Sequence, residues 1–196
     1  MSTPDPAKGQ AFHHGDLRRA LIEATTDLIE RDGPAAVSLR EAARIAGVSH
    51  NAPYRHFPTR DALLAAVAAH GFDELKAAFD VPAVAAVDDR LLALGEAYLH
   101  FAQTKPGLFK LMFGSGLDRK GHPDLDRAAQ AAYAVLLNAS GPQGQASREG
   151  ALGAWALVHG LAHLIVDDQL APDLREDARK AVLLEKISKA YGHLRG

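Results

Sequence analysis

An all-α protein is the fold class this sequence predicts, on three observations. Apolar residues recur at three- and four-residue spacing through most of the chain, and no useful length alternates apolar with polar as a half-buried strand does. Breaks containing glycine or proline divide the periodic stretches into about nine helical segments. With 196 residues, 47% of them hydrophobic, the chain is long enough for one or two domains with a real core.

Composition also excludes several function classes. No apolar run approaches the ~20 residues that span a bilayer, and the N-terminus lacks an apolar signal core, so a cytoplasmic protein without a membrane partner is expected. The absence of cysteine removes disulfides, thiolate metal sites and cysteine nucleophiles. Net charge is −2, and residues 1–60 carry 8 Lys/Arg against 7 Asp/Glu, so any affinity for nucleic acid must come from local placement.

Residues 1–14, rich in Pro, Gly and Ser/Thr, read as a disordered leader. Asp16 then caps a first helix whose stripe is Leu17, Leu21, Ile22, Ala24, Leu28 and Ile29, ended by Gly33-Pro34. Ser38 and Glu41 form a capping box for a second helix of about two turns, which stops at Gly47 in the left-handed C′ position. "HNAPYRHF" is a third short helix closed by Phe57-Pro58, and Thr59 caps a long fourth helix reaching Phe79, with Leu63, Leu64, Val67 and Phe72 inward. "DVPAVAAVDD" marks a boundary. Helices follow over 90–103, in "LFKLMF", over 125–138 and over 147–167, and a last one runs from Asp173 to His193 after the break at Pro172.

The third segment poses a question through Pro53. With Ser49 as N-cap, Pro53 would fall where the first intrahelical hydrogen bond is made, at a cost that reaches ~3 kcal/mol in a helix interior. With His50 or Asn51 as cap it lies in the first turn and costs little. A late start is therefore predicted, with Ser49 to Asn51 in the turn, Pro53 setting the entry of Tyr54, Arg55 and His56, and Ala52 biased away from α conformation.

A capped short helix, a glycine turn and a second short helix, held by Leu39, Ala43, Ile45, Val48 and Phe57, are the parts of a helix-turn-helix. A plain αα-hairpin has the same parts. The flanks separate the two: "GVSHNAPYRHFPTRDALLAAV" resembles the DNA-binding signature of the tetracycline-repressor (TetR) family, on Gly47, Val48, Ser49, Tyr54, His56, Phe57, Thr59 and Arg60, the last standing where the family has lysine. Farther on, "AWALVHG" is similar to the Trp-x-x-x-His-Gly element of one branch of that family.

The resemblance implies a DNA-binding domain over residues 15–60, a connecting helix over 61–80 and a ligand-binding and dimerisation domain over 81–196. It implies a ligand-responsive regulator, a repressor that binds a palindromic double-stranded operator as a homodimer and is released by a small-molecule effector, with no cofactor and no enzymatic activity. His50 and Asn51 can offer hydrogen bonds to base edges, and Arg55 can reach guanine or phosphate. Tyr54 and His56 match phosphate-binding positions of the family. Ser49, in the turn, and Thr59, the cap of the fourth helix, are further DNA-contact candidates, and Arg60 with the backbone amides at that helix's N-terminus provides an anion site, while Ser38 and Arg40 are phosphate candidates, Ser38 serving equally as a cap. Ligand-pocket candidates are Phe101, Phe109, Met112, Phe113, Tyr133, Trp155, His159 and His163. The resemblance assigns dimerisation to the last two helices, where Leu157, Leu161, Leu164, Leu183, Ile187 and Tyr191 are the candidates.

A rival reading starts from Trp155, His159 and His163, which share one helix face. Two histidines four apart are half of a zinc site, which would make the chain a helical ligand- or metal-binding protein, or a metalloenzyme, that never touches DNA. The glutamate of H-E-x-x-H is missing, so Asp167 or His100 would have to converge on the pair.

Overall fold

The structure is a computed structural model that describes residues 14–80, 87–114, 116–140, 145–179 and 182–193, with the side chains of residues 14–15, 87–89, 145–147, 179 and 191–193 outside the description. Among the described residues there are nine α-helices and no strand. They are α1 (His14–Asp32), α2 (Leu39–Ile45), α3 (Arg60–Ala78), α4 (Val87–Thr104), α5 (Pro106–Phe113), α6 (Pro123–Ala139), α7 (Gln145–Val166), α8 (Pro172–Arg179) and α9 (Leu183–His193).

The count agrees with the sequence through two compensating differences. The expected third helix is a single 3-10 turn, Ala52–Arg55, and the expected last helix is divided into α8 and α9. The first difference has a simple cause. Pro53 has no N–H to donate, and Pro58 restricts Phe57, so the segment between Gly47 and Pro58 has no room for an i→i−4 ladder. The turn closes with the His56 and Phe57 amides both donating to the Pro53 carbonyl at 2.9 Å, one three residues on and one four, and no further ladder follows. Ala52, expected to avoid helical conformation, enters that turn. The second break is spanned by Lys186 Nζ donating to both Asp177 oxygens at 2.6 and 2.7 Å, and it lets Leu183 and Leu184 turn into the core. The first helix begins at His14 rather than after Asp16, which lies in its first turn near the positive end of the helix dipole.

Local signals otherwise act as the sequence implies. Ser38 Oγ accepts from the Glu41 amide at 3.1 Å, but the Glu41 carboxylate turns to Arg44 rather than back to the cap, so only half of the box is made. At the other end of α2, Gly47 has φ +68°, with its amide donating to the Arg44 carbonyl and that of Val48 to the Ala43 carbonyl, a Schellman closure. Thr59 Oγ1 accepts from the Ala62 amide at 3.1 Å and starts α3.

One hydrophobic cluster runs the length of the molecule, from Leu21 and Leu28 through Leu63 and Val67 to Phe109, Leu161 and Leu184. Its axis is α3, which packs along α6 and also touches α1, α4 and α5. The N-terminal helices and the C-terminal body thus share a helix and a core. Against the expectation from sequence, α7 is long and apolar enough over Arg148–Val166 to cross a membrane, at a mean hydropathy of 1.3. Only 22% of that window is buried, because α7 turns one face to α4 and α6 and leaves another uncovered.

Candidate nucleic-acid interface and ligand cavity

At the N-terminal end, the residues singled out in the sequence are brought to the surface around the Gly47 turn. Ser49, His50, Asn51, Tyr54 and Arg55 are exposed, Tyr54 at 49% of its surface, and His56 is half-buried beside Phe57. Asn51 occupies the N-cap position of the 3-10 turn without making a capping bond through its side chain, and Pro53 lies in the first turn, as the late start requires. Pro53 is also fully buried. It anchors the turn by packing as well as by its fixed φ, a role with no local signal. Phe57, 2% exposed, fixes the far side of the turn, with the Arg18 guanidinium 5.5 Å from its ring centre.

Ser38, Arg40 and Thr59 are exposed as well, with Ser38 and Thr59 occupied as caps. Arg60 has a task that the sequence did not reveal. Its Nε donates to the Val37 carbonyl at 2.9 Å and its Nη2 to the Pro34 carbonyl at 2.6 Å, stapling the start of α3 to the segment before α2. The guanidinium thus ties the N-terminal helices together, a task beyond the anion site that sequence reasoning gave it.

In the body, a cavity of about 1680 Å³ lies between α3, α4, α5, α6, α7 and α9. Of the eight pocket candidates, Met112, Phe113, Tyr133, Trp155 and His159 line it. Phe101, Phe109 and His163 do not. Phe101 and Phe109 are core residues, 5% and 0% exposed, because they sit on the inner faces of α4 and α5. His163 packs its ring 5.1 Å from that of Phe109 and reaches toward Asp167, whose carboxylate is bound by Lys110 at 2.8 Å. That contact holds the Asp167 carboxyl below its ordinary range. Sequence reasoning missed Phe72, Leu75 and Tyr98 on the cavity wall, since nothing in a helical stripe separates a wall residue from a core one.

Tyr98 is 4% exposed, and its Oη lies 2.7 Å from His159 Nδ1. Burial pushes the phenol well above its usual range, with the neighbouring Trp155 indole opposing only in part. Burial, and then the neighbouring His163, hold the His159 imidazole below its ordinary value. Among the described residues no group of three His, Cys, Asp or Glu stands where it could hold a metal ion, so the pair at 159 and 163 gains no third ligand.

The N-terminal helices and the C-terminal body meet at α5. Both carboxylate oxygens of Glu30, on α1, accept from the first free amides of α5, Gly107 at 3.0 Å and Leu108 at 2.7 Å. The approach is close enough that a Cβ on Gly107 would stand 2.7 Å from the Ile29 carbonyl oxygen. Lys105 completes the joint by binding Glu74 of α3 at 2.7 Å. The same short helix carries Met112 and Phe113 into the cavity.

The proposed interface residues divide. Leu161 and Leu183, 5% and 3% exposed, belong to the chain's own core, Ile187 packs against that core, and Leu157 lines the cavity. The reason is that α4 packs against both α7 and α9 and covers those faces. Leu164 is 41% exposed, and the side chain of Tyr191 lies outside the described residues. The uncovered face of α7 is Leu152, Gly153, Ala156, Gly160 and Leu164.

Comparison with known proteins agrees with this architecture. Two family models match, "Bacterial regulatory proteins, tetR family" over residues 21–67 and "Tetracyclin repressor-like, C-terminal domain" over residues 91–186. An HTH-type transcriptional repressor of Mycobacterium tuberculosis is 42% identical over 55 residues, which span 28% of this chain and 29% of that protein. A protein of unknown function from Rhodococcus sp. RHA1 superposes with a TM-score of 0.75 at 35% identity, covering 94% of this chain and 98% of that one. A tetR-family transcriptional regulator from Streptomyces coelicolor superposes with a TM-score of 0.68 at 24% identity over 92% of this chain and 85% of its own. On the helix-turn-helix match, the C-terminal match and the shared fold, this chain belongs to the TetR family of bacterial regulatory proteins.

Proposed function

We propose that the protein is a ligand-responsive transcriptional regulator, a repressor that acts in the cytoplasm on double-stranded operator DNA. Residues 15–60 form the reading head, residues 61–80 the connecting helix, and residues 81–196 the effector and dimerisation body. The observation that carries this reading is the exposed group Ser49, His50, Asn51, Tyr54 and Arg55, presented by a turn that Gly47 and the buried Pro53 make rigid. In it, His50 and Asn51 read base edges, Arg55 reads guanine or grips phosphate, and Tyr54 and His56 hold the backbone, with Ser38, Arg40 and Thr59 beside them. Arg60 supports the head from behind.

One such head makes few base contacts, so two-fold pairing places two of them about one DNA turn, ~34 Å, or a multiple apart on a palindromic operator. The uncovered α7 face supplies the surface for a homodimer. An effector in the cavity moves α5, and through Glu30 and Gly107 it moves α1, so the spacing of the two heads changes and DNA is released. Release requires that the effector bind the non-fitting form more tightly.

The test is a mobility shift on DNA from upstream of the protein's own gene, at several salt concentrations, beside Tyr54→Ala and Arg55→Ala. Sequence-selective, salt-sensitive binding that both variants weaken is expected. Equal binding of all three proteins to any DNA, or none, overturns the reading.

A further inference from the structure

The cavity's wall is divided by polarity. Its charged side chains, Arg119, Glu149, Glu185 and Lys189, lie at the mouth, where Gln130, Tyr133 and Gly153 are also exposed. Arg119 is bound to Asp126 at 2.9 Å, and Lys189 to Glu185 at 2.6 Å. The inner wall is apolar: Phe72, Leu75, Met112, Leu125, Ala129 and Val158. A charged group carried inside would leave water and meet no opposite charge, a cost that no contact on that wall offsets.

The polar atoms of the inner wall belong to Tyr98, Trp155 and His159 among the described residues, and their hydrogen-bonding roles are fixed by chemistry. The Tyr98 phenol keeps its proton, and among the described residues its only acceptor is His159 Nδ1, at 2.7 Å. A neutral imidazole that accepts at Nδ1 carries its proton on Nε2. No protein group among the described residues accepts from that Nε2, and the ring stands on the cavity wall, framed by Phe113 and Trp155 at centroid distances of 4.8 and 5.5 Å.

We propose that this cavity takes an uncharged, largely apolar molecule bearing a hydrogen-bond acceptor such as a ketone, ester or lactone carbonyl. His159 Nε2–H is the donor that recognises it, and Tyr98 is a positioning residue that sets the imidazole tautomer. The assignment deepens the effector role proposed above and rests on it for its biological meaning only, because binding can be measured without DNA. The volume, above the ~300–1,000 Å³ of most small-ligand sites, suits a long-chain or polycyclic body.

The chain's single tryptophan is Trp155, on the cavity wall, so its emission reports occupancy in the full-length protein. Titrations with methyl decyl ketone, dodecanoate and dodecylammonium, equal in chain length, isolate the head group. The ketone should saturate the signal at a concentration at least about tenfold lower than either ion, the ratio that one unpaired charge or one lost hydrogen bond produces. His159→Phe should weaken the ketone by about tenfold and leave the ions unchanged, while His159→Gln, which keeps an N–H donor, should retain most of the affinity. Tyr98→Phe should give a smaller loss than His159→Phe. Retained helical circular dichroism certifies each variant as folded.

Tighter binding of dodecanoate or dodecylammonium, binding of none of the three, or equal ketone affinity in the Phe and Gln variants overturns the assignment. A ketone that binds as expected yet leaves operator affinity unchanged upholds this ligand class and overturns the effector role instead, so the two failures are distinguishable.

Discussion

Replacing Glu30 by Ala is the sharpest perturbation of the joint between head and body. The carboxylate accepts two backbone hydrogen bonds, at 3.0 and 2.7 Å, from amides that have no partner within α5. Hydrogen bonds to a charged group contribute about 1.5–3 kcal/mol each, and these are half-buried, which places them at the low end. Two such bonds give ~3 kcal/mol, less ~1 kcal/mol for the side-chain freedom that the variant recovers. Glu30→Ala should therefore lower stability by about 2 kcal/mol, against a total of ~5–15 kcal/mol for a domain. Glu30→Gln keeps one carbonyl acceptor, loses the charge at a helix N-terminus, and should cost about half as much. Urea titration followed by far-ultraviolet circular dichroism measures both, with an unchanged slope showing that the extent of unfolding is the same. If Glu30→Ala lies within ~0.5 kcal/mol of the parent, as a surface substitution does, the contact is not a joint and the proposed route from cavity to head through α5 fails.

Gly47→Ala forces a φ of +68° on a residue with a Cβ, with nothing within 4 Å to clash, so the cost is conformational. About 1 kcal/mol in urea titration is expected, with Gly47→Asn milder. Gly107→Ala meets backbone at 2.7 Å and must push α5 from α1, which should cost ~1–3 kcal/mol in the same assay. Ala156→Glu on the uncovered face of α7 should give a monomer in sedimentation equilibrium with unchanged helix content; a dimer that persists places the interface elsewhere. His159 is held below its ordinary value of 6.5, so the unfolded chain takes up the proton more readily. Its contribution to stability is present above that value and is lost as pH falls through it and below. Near His159 the other titratable groups are Tyr98 and His163, and His163 in turn meets Asp167 beside Lys110. The urea midpoint should drop on acidification from neutral pH, and His159→Gln should flatten that drop.

Features set by neighbouring residues were legible before any fold was known. Ser38, Thr59 and Gly47 mark helix ends through contacts within four residues, and each end lies where its cap says. The exclusion of Pro53 from a helix interior is likewise local, and so is the exposed turn that offers His50, Asn51 and Tyr54. Even so, the expected third helix is a single 3-10 turn, since two prolines five residues apart leave no room for a longer ladder. Which face of each apolar helix is wall, core or free surface depends on packing between distant segments. Phe109 and Met112 sit on one short helix and look alike in sequence, yet the first is sealed in the core while the second lines the cavity. Leu161 and Leu164 are three residues apart on α7, one closed inside the core and the other open to solvent. Arg60 could not be assigned from its neighbours because its partners, Val37 and Pro34, lie more than twenty residues away. Periodicity fixes that a helix has an apolar side, but the identity of what covers that side depends on contacts distant in sequence, which only packing supplies.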